Sequence, residues 1–584
     1  MIIGLLFVLA AGALGFSLAR KLVPEEQIAY AMPFGIATST IIVFLVSLAI
    51  GFSGQSVLLS AILCALLALG LWKKKGGFKT SPISKRLVPL ALFSLAFLFA
   101  INYAMFHFDQ GALKGFPTDF GFHKSIIASL GNGNFPPENP LFAGHPLAYY
   151  YFLHLFTASF IMGGFSLQWA FIIVNSLVIF SVVLLLAMLA KTLFPKEARE
   201  GNTIVYLAVL LVLLNGTLAF VQAAKVGTFS FSQNFFNDPS LTHPFLTLLT
   251  AHLLVTPFAI GLALLLILAI KLIEGDFRFA ALLGIMPLFH FFTFIVGVVL
   301  TAAYYAFNRS EKKTDYWPFA VGILLSLPQV AYYYFARGPA EIVFRLGWLS
   351  PSQDLVSIAW FWLQNLGIYI LLGAIGYYYA DEKARRLLLA TLPWFILGNI
   401  FLFTPFHWDN VKLFLFFFVA LAMLSAFALT KMIKKYGVPI VLVFLLLATS
   451  GGILSAATIV FSYNTNIYDS FDVKACDWAK ANTPANALFL TDGQHTCMFG
   501  LTGKRVFLGD LQWITTHGLN YTQQLDENNR MLAGDCNLLK KNKIGYIYLD
   551  GYGSRHSYTN ETFLQEKTIA VYNQNSRTIY KVNC

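Results

Sequence analysis

The sequence predicts an α-helical polytopic membrane protein with a small C-terminal α/β domain. Three observations support this fold class. The chain of 584 residues is 57% hydrophobic and 12% charged, its mean hydropathy is +0.67, and apolar runs recur from residue 2 to residue 460 and then stop. So few charged residues cannot cover a soluble globule of this size, whereas runs of roughly 20 apolar residues cross about 30 Å of hydrocarbon. The bilayer is therefore predicted to be the main solvent of the first 460 residues.

The distribution of positive charge indicates which ends of the spans face the cytoplasm. The formal net charge is +12, but Lys and Arg lie in short loops between apolar runs rather than along one face. This pattern argues against a nucleic-acid partner and marks cytoplasmic loops instead. Residues 73–86, KKKGGFKTSPISKR, form the strongest such loop. The opening MIIGLLFVLAAGALGFSLARK has no positive charge before its apolar run, so we interpret it as a retained helix that starts outside.

About thirteen spans are predicted when the basic loops are placed inside. They are 2–18, 31–51, 56–72, 88–107, 168–190, 203–223, 248–273, a broken hairpin at 278–307, 317–335, 355–379, 387–404, 411–430 and 437–460. The hairpin is predicted because Pro287 and His290 lie mid-run, where a straight helix would leave backbone groups unpaired in lipid. The alternative is one long tilted helix with a proline kink.

The apolar run 148–163 is not counted as a span, because that would move the basic segment after residue 190 outside. We expect a juxtamembrane helix on the outer surface, with its tyrosines at headgroup level. The chain then divides into N-terminal transmembrane helices (1–87), a transmembrane domain with a long outer loop at 108–147 (88–460), and a soluble extracytoplasmic domain (465–584).

The last segment alternates a helix, β-rich runs and glycine turns, as in DWAKANTPANALFLTDGQH and IGYIYLDGYG, which is typical of a small α/β domain. Cys64 lies in an apolar run, whereas the other four cysteines, Cys476, Cys497, Cys536 and Cys584, lie in this segment. Outside the cell these four can form up to two disulfides, and their spacing leaves the pairing open. Asn520 and Asn560 stand in N-x-T sequons, which are frequent by chance.

The outer loop 108–147 concentrates ionisable side chains: Asp109, Asp119, His123, Lys124, Glu138 and His145. Within it, DFGFHKSIIASL has apolar residues at helical spacing, which predicts a short interfacial helix with Asp119 at its start and His123 one turn later. Asp119 is then either a helix N-cap or a general base that takes a proton from an acceptor hydroxyl.

The order of features in this loop resembles a known class of enzymes. An Asp outside a membrane helix, a short amphipathic helix, a glycine turn, the proline-rich NFPPENPLFAGHPL and an aromatic AYYYF segment follow one another. This order resembles the first outer loop of GT-C class glycosyltransferases, namely the aminoarabinose-lipid A transferases and protein O-mannosyltransferases, and the resemblance covers residues 88–460. The PPENP and YYY pattern is closer still to poorly characterised integral membrane families of bacteria and archaea.

The resemblance implies a fold and a reaction. Asp119 matches the catalytic Asp of the class, the donor would be a polyprenyl-phosphate-linked sugar, and the acceptor would be a lipid, a glycan or a protein. Phe120 occupies the place of a second acidic residue in the family pattern. His123, Glu138 or Asp109 would therefore have to supply that role.

A second group of polar residues lies in TPFHWDNVKLF, where His407, Asp409 and Lys412 punctuate an outer loop that leads into a span. Charged groups at that depth are costly and are functional by default. Lys412 suits a contact with the lipid phosphate, as in GT-C enzymes, and the alternative is a snorkelling lysine paired with Asp409.

The remaining candidates are individually weaker. Arg337 and Arg345, on the outer loop 336–352, can bind phosphate oxygens bidentately. Tyr149, Tyr150 and Tyr151 would frame the cavity. In the last segment, Arg505, Asp510 and His517 are candidates for acceptor binding or a lid. His252 and His290 are expected to be satisfied interior histidines rather than ligands.

Together with the resemblance, these features predict a plasma-membrane glycosyltransferase that inverts the configuration at the anomeric carbon of the sugar it transfers. The alternatives are a transporter or flippase of lipid-linked glycans, although no repeated halves are detected, and a non-catalytic protein that keeps the fold. No CxxC motif or His-rich cluster indicates a zinc site, and Mg²⁺ or Mn²⁺ remains an optional cofactor. The sequence does not specify the sugar or the acceptor.

Overall fold

The computed structural model describes residues 1–23, 26–73, 85–115, 119–216, 218, 247–254, 257–308, 315–337, 342–461 and 464–584. Up to residue 461, the described part is mainly helical. Its α-helices are α1 (Ile2–Leu22), α2 (Gln27–Ile50), α3 (Gly54–Lys73), α4 (Val88–Met105), α5 (Phe120–Gly131), α6 (Phe152–Met162), α7 (Leu167–Leu193), α8 (Pro195–Glu200), α9 (Thr203–Leu213), α10 (Phe258–Ile273), α11 (Met286–Phe289), α12 (Phe291–Phe307), α13 (Trp317–Arg337), α14 (Leu355–Leu366), α15 (Ile368–Tyr379), α16 (Glu382–Gly398), α17 (Val411–Tyr436) and α18 (Val438–Phe461).

Eight of these helices are long and apolar enough to cross a membrane, within the described ranges. They are α1, α2, α3, α4, α7, α13, α17 and α18, and the pair α14 and α15 would make a ninth if it counts as one broken span. The chain is thus mainly α-helical in its described part and compatible with a polytopic membrane protein. The finer count of about thirteen spans stays a prediction, since α9, α10, α12 and α16 are shorter than 18 residues and residues 219–246 lie outside the described part.

The most buried long helix is α17, whose apolar stretch is wholly buried, and α7 is mostly buried as well. Helix α13 lies at the other extreme, with exposed side chains that include Leu324 and Phe335. Large apolar side chains that cover the outside of a long helix are unfavourable in water and favourable against lipid tails. The burial pattern is therefore that of a bundle with a lipid-facing perimeter.

Small residues set the closest helix contact. A Cβ added at Gly15 of α1 would overlap the carbonyl oxygen of Ala31 of α2, and one added at Gly35 would press on the carbonyl oxygen of Ala11. Glycine at these positions lets the two backbones approach as closely as they do, as is common between membrane helices.

Contacts between loops define two ends of the bundle. At one end, Lys191 pairs with Glu26 and Lys431 pairs with Glu197, each at 2.7 Å, and Arg86 donates to the carbonyl oxygen of Arg199. All of these basic residues lie in or beside segments predicted to be cytoplasmic. At the opposite end of α1, the amide of Gly4 donates to the carbonyl oxygen of Gly163 at 3.2 Å.

The segment 148–163 differs from its prediction. Helix α6 has 11 residues, or about 16 Å at 1.5 Å per residue, which is too short to cross the hydrocarbon. However, Tyr149, Tyr150 and almost all of α6 are buried in the protein, so the predicted placement on the surface at headgroup level was wrong. Apolarity alone does not distinguish burial against lipid from burial against protein.

Two predicted spans are interrupted. The stretch 355–379 breaks at Gly367, where α14 and α15 meet at a bend of 83°. The stretch 278–307 is a 3₁₀-helix (Phe277–Gly284) followed by α11 and α12, with His290 in extended conformation between the two helices. The predicted break at Pro287 and His290 is therefore present, and one long helix is not.

After residue 464 the chain forms a mixed sheet with short helices. The strands are β5 (Asn466–Tyr468), β6 (Leu488–Thr491), β7 (Arg505–Val506), β8 (Tyr546–Leu549), β9 (Thr568–Gln574) and β10 (Arg577–Val582); β1 (His107–Asp109), β2 (Ala112–Lys114), β3 (Val343–Phe344) and β4 (Phe401–Leu402) precede them. The helices are α19 (Ser470–Asn482), α20 (Cys497–Gly500), α21 (Leu511–Thr516), α22 (Thr522–Leu532), α23 (Cys536–Lys541) and α24 (Glu561–Lys567).

The five-stranded sheet has the order β7-β6-β8-β10-β9, with β7, β6 and β8 parallel and β10 antiparallel to both of its neighbours. Disulfides join Cys476 to Cys497 and Cys536 to Cys584. The pairing that the sequence left open is thus sequential.

The outer loop packs into this C-terminal segment. Strand β5 pairs with β2 of the loop, and Phe142 of the loop shares an apolar cluster with Leu490 and Leu508. The predicted boundary at residue 465 is therefore not a break in packing, because the loop and the C-terminal segment bury apolar surface together.

Candidate functional site

Asp119 stands at the head of α5, as the sequence predicts, but its side chain makes no hydrogen bond to the first turn of that helix. Its Oδ1 instead accepts a hydrogen bond from the indole Nε1 of Trp513, on α21, at 3.3 Å. A capping aspartate would accept from a backbone amide of its own helix. The carboxylate is therefore directed away from α5 and towards the C-terminal segment.

The surroundings of Asp119 change its acidity. The side chain is solvent-exposed, yet desolvation by the protein around it raises the pKa of its carboxyl above the ordinary value. The positive charge of Lys412 opposes this rise in pKa, while the negative charges of Asp409 and Asp510 add to it. The charges of Lys412, Asp409 and Asp510 therefore lie close enough to Asp119 to act on it electrostatically.

Lys412 is held at the start of α17 by Asp409, with 2.7 Å between its Nζ and the Asp409 Oδ1. The ammonium also lies over the ring of Phe292, 5.2 Å from its centroid. Both side chains are mostly buried, and the pairing of Lys412 with Asp409, which was the alternative expectation for this lysine, is present. The pair brings one cation and one further carboxylate into the neighbourhood of Asp119.

Aromatic and imidazole rings form a wall beside this group of charges. His517 stacks on Phe122 with 4.6 Å between centroids and meets the edge of Tyr149. Tyr149 stacks on Tyr150 at 4.0 Å, and Tyr150 in turn contacts His290 at 4.8 Å. The wall therefore combines the loop, α5, α21 and the break before α12, which are far apart in the sequence.

Positive charge lies along this wall. The Nε of Arg337 donates to the carbonyl oxygen of Ala148 at 2.9 Å.

Burial, followed by the charge of Arg337, lowers the pKa of His517 to about 4. Burial likewise brings the pKa of His123 well below its usual value, and the charge of Lys412 contributes. Both imidazoles are therefore neutral at pH 7 and can accept or donate a hydrogen bond.

We call Asp119, His123, Tyr149, Tyr150, Arg337, Asp409, Lys412 and His517 the outer polar cluster. Each was predicted as a candidate from the sequence, and the structure brings them together through the contacts and electrostatic interactions given above. His290 joins this cluster through Tyr150, although the sequence favoured a satisfied interior histidine. Its Nδ1 does accept a hydrogen bond from the amide of Thr293, so it also caps α12.

Other candidates have structural partners elsewhere. Glu138 pairs with Arg505, which links the loop to the C-terminal segment. Arg345 donates to the carbonyl oxygen of Trp348 at 2.6 Å, and the carbonyl of His407 accepts from the indole of Trp348 at 2.7 Å. These contacts fix loops, and none of them connects these residues to Asp119.

Four further residues that the sequence analysis considered are likewise engaged. Asp510 accepts from the amide of Trp513 at 2.7 Å and pairs with His495 at 2.9 Å. Burial raises the pKa of its carboxyl, but the hydrogen bonds from His495 and the backbone outweigh it, so that the pKa is lowered. Tyr151 packs against Phe152, and Asp109 pairs with Lys114 at 2.6 Å. His252 lies on a π-helix (Leu248–Leu253) beside Phe258.

Sequence reasoning missed Trp513 and His154. Trp513 contacts Asp119 across 394 positions of the chain, and His154 forms a hydrogen bond with His123 at 3.0 Å. No local pattern identifies either residue, because each acquires its role from a long-range contact. Among the described residues, no group of three or more His, Cys, Asp or Glu side chains is placed to hold a metal ion.

The fold and the outer polar cluster define an α-helical protein with helices long and apolar enough to cross a membrane and with a cluster of ionisable side chains. No protein-family model matches the chain, and no curated protein matches it. The function is therefore argued from the site itself.

Proposed function

We propose that this protein is an integral membrane glycosyltransferase that moves a sugar from a polyprenyl-phosphate donor to an acceptor on the outer face of the cell membrane. The observation that supports the proposal best is the direction of the Asp119 side chain. It leaves its own helix uncapped and lies within electrostatic reach of Lys412. A carboxylate in desolvated surroundings can remove the proton of an acceptor hydroxyl, and a cation near it can stabilise the departing phosphate.

In the proposed reaction, an acceptor hydroxyl attacks the anomeric carbon of the sugar from the face opposite the phosphate. The new carbon–oxygen bond forms as the bond to the phosphate oxygen breaks, so the configuration inverts. Asp119 takes the hydroxyl proton, and the departing polyprenyl phosphate keeps the electron pair of the broken bond. Lys412 and Arg337 offset the charge that develops on that phosphate.

The raised pKa of Asp119 suits a base, because a carboxylate with a higher pKa binds the proton more strongly. His123 and Asp409 are the nearest replacements for the second acid of the GT-C pattern, since both interact electrostatically with Lys412. Glu138 remains a sequence-based candidate, and its ion pair with Arg505 favours a structural role. The acceptor in this proposal is a lipid, a glycan or a protein.

The membrane orientation is also a proposal: about thirteen spans, with the C-terminal segment and the loop 108–147 outside. The convergence of Arg86, Lys191 and Lys431 at one end of the bundle supports it, since positive residues collect on the cytoplasmic side. Reporter fusions after residues 196 and 433 should score cytoplasmic, and those after 130, 342 and 470 should score external. An external score after residue 196 would overturn the orientation.

Transport of a lipid-linked glycan is the second candidate, and the broken helices favour it. Transporters often place their sites at discontinuous helices, and both α14–α15 and α11–α12 are interrupted. The two functions differ in product. A transporter relocates the intact donor, whereas a transferase yields a glycosylated acceptor and free polyprenyl phosphate.

The experiment that tests the proposal uses the full-length protein in proteoliposomes with a polyprenyl-phosphate sugar radiolabelled in the sugar. Asp119→Asn should lower the transfer rate by about a hundredfold to ten-thousandfold, the typical contribution of a general base. Asp109→Asn is the matched control, because Asp109 is an aspartate of the same loop that pairs with Lys114. Lys412→Ala should weaken donor binding more than acceptor binding.

Full activity of the Asp119→Asn variant would refute the assignment of the base. Movement of label across the bilayer without a glycosylated product, in the wild-type protein, would favour the transporter instead.

A further inference from the structure

A small internal cavity lies between α5, α6 and α7, and it is lined by His154, the hydrogen-bond partner of His123. Its polar lining consists of His154, Thr157 and Asn175, and its apolar lining includes Val174. The space is about the size of one water molecule, and a site of this size needs two to four polar partners to hold that water.

Two side-chain atoms on the lining have no hydrogen-bond partner among the described residues. They are Nδ1 of His154 and Oδ1 of Asn175, and both side chains are only 1% exposed. Buried polar atoms are rarely left unpaired, because each costs about 1–3 kcal/mol. Two such atoms on one water-sized cavity indicate that the cavity is occupied.

The amide of Asn175 cannot be turned to remove the mismatch. Its Nδ2 donates to Oδ1 of Asn102 at 2.6 Å and to the carbonyl oxygen of Leu254 at 3.1 Å, so its Oδ1 must face a hydrogen donor. Thr157 donates its hydroxyl hydrogen to the carbonyl oxygen of Leu153 at 2.8 Å. The lone pairs of the Thr157 oxygen therefore remain able to accept.

We propose that one buried water molecule occupies this cavity and fixes the tautomers of His154 and His123, so that Nε2 of His123 carries a lone pair. The water donates its two hydrogens to the acceptors on Asn175 and Thr157. Its oxygen is then left to accept a hydrogen bond from His154, whose proton is on Nδ1.

The tautomer of His154 decides that of His123. With its proton on Nδ1, His154 presents a lone pair at Nε2, 3.0 Å from Nδ1 of His123. The proton of His123 must then lie on Nδ1, where it donates to His154. Its Nε2 is then left unprotonated, with a lone pair that can accept a hydrogen bond.

This assignment gives His154, Thr157 and Asn175 the role of positioning residues. If the proposed transfer reaction is correct, His123 is presented to the outer polar cluster as a hydrogen-bond acceptor, able to hold an acceptor hydroxyl beside Asp119. That consequence rests on the proposed function, whereas the water and the tautomers do not.

The test is ¹⁵N NMR of histidine-labelled full-length protein, with His123→Gln and His154→Gln variants to assign the two rings. In the wild type, Nδ1 of both rings should give the protonated signal and Nε2 of both rings the unprotonated signal. Signals that place the His154 proton on Nε2 would overturn the proposal, whatever the protein catalyses.

Two substitutions at Val174 separate the effect of losing the water from the effect of changing the packing around the cavity. Val174→Leu fills the cavity and removes the acceptor of the His154 Nδ1 proton, so both rings should exchange their protonated and unprotonated signals. Val174→Ala enlarges the cavity, keeps the water, and should leave the wild-type pattern unchanged. Wild-type signals in the Leu variant would refute the role of the water.

Thr157→Val provides a second route should Val174→Leu fail to fold. It keeps the shape of the side chain and withdraws one acceptor, so the water turns a hydrogen towards Nδ1 of His154. The same exchange of signals is expected, at least in part, and an unaltered spectrum would count against the proposed hydrogen bonds. If the wild-type protein shows the predicted tautomers but no transferase activity, the proposed function is refuted and the tautomer assignment stands.

Discussion

The hydrogen bond from Trp513 to Asp119 provides the sharpest test of how the site is built. Substitution Trp513→Phe keeps an aromatic ring on α21 but removes the indole N–H together with part of the ring surface. This bond stabilises the charged carboxylate and lowers the pKa of Asp119, so its loss should raise that pKa further. A hydrogen bond to a charged group contributes about 1.5–3 kcal/mol when it is short and buried.

The bond here is 3.3 Å long and partly exposed, so we take about 1 kcal/mol as its contribution. At 1.36 kcal/mol per pKa unit, this corresponds to a rise of about 0.7 unit. A general base acts when it is deprotonated, so activity is present above the pKa of Asp119 and is lost as the pH falls through it. The acidic limb of the pH–rate profile should therefore move up by about 0.7 unit, with the plateau at higher pH little changed.

The assay is the initial rate of sugar transfer in proteoliposomes between pH 4 and about 8, where ordinary carboxyl and imidazole groups titrate. Trp478→Phe is the matched control, because Trp478 lies in the same C-terminal segment but packs on Tyr572. An acidic limb that stays in place in Trp513→Phe, or moves to lower pH, would refute the assignment of Asp119 as the group that titrates.

Three further predictions concern packing, the loop and the cysteines. Gly15→Ala should destabilise the folded protein by about 1–3 kcal/mol, as overpacking does. Gly12→Ala, whose Cβ meets open space, should be neutral. Equal melting temperatures of these two variants would contradict the close α1–α2 contact. Glu138→Gln should cost at most about 1 kcal/mol of stability, because its ion pair is partly exposed, and should retain transfer activity; loss of activity without loss of stability would restore Glu138 as a catalytic acid. Thiol labelling of denatured but unreduced protein should modify Cys64 alone; labelling of the four C-terminal cysteines would exclude both disulfides.

Local patterns predicted several parts of the site correctly. Helical spacing after Asp119 predicted α5, and the placement of Lys412 at the start of a span predicted its position on α17. Pro287 and His290 predicted the break in the stretch 278–307. In each case the signal lies within about one or two helical turns, where neighbouring side chains act on the same backbone.

Burial of the tyrosines and the breaks in other helices were not predicted. Tyr149 and Tyr150 have the composition of an interfacial belt, but α5, α21 and His290 enclose them. The bend at Gly367 likewise lies in a run without charged residues. Lipid and protein interiors exert almost the same preference for apolar residues, so composition cannot separate them.

The sequence by itself determined that this chain has long apolar helices compatible with a membrane. The hydrophobicity of each run and the charge of each loop can be read locally along the chain. The sequence also determined which polar residues were candidates. Only the tertiary structure decided that Asp119 turns from its own helix to Trp513, that Glu138 pairs with Arg505, and that His154 forms a hydrogen bond with His123. These contacts join residues between about 30 and 400 positions apart, and they exist only where the packing of the bundle and the C-terminal segment brings their backbones together.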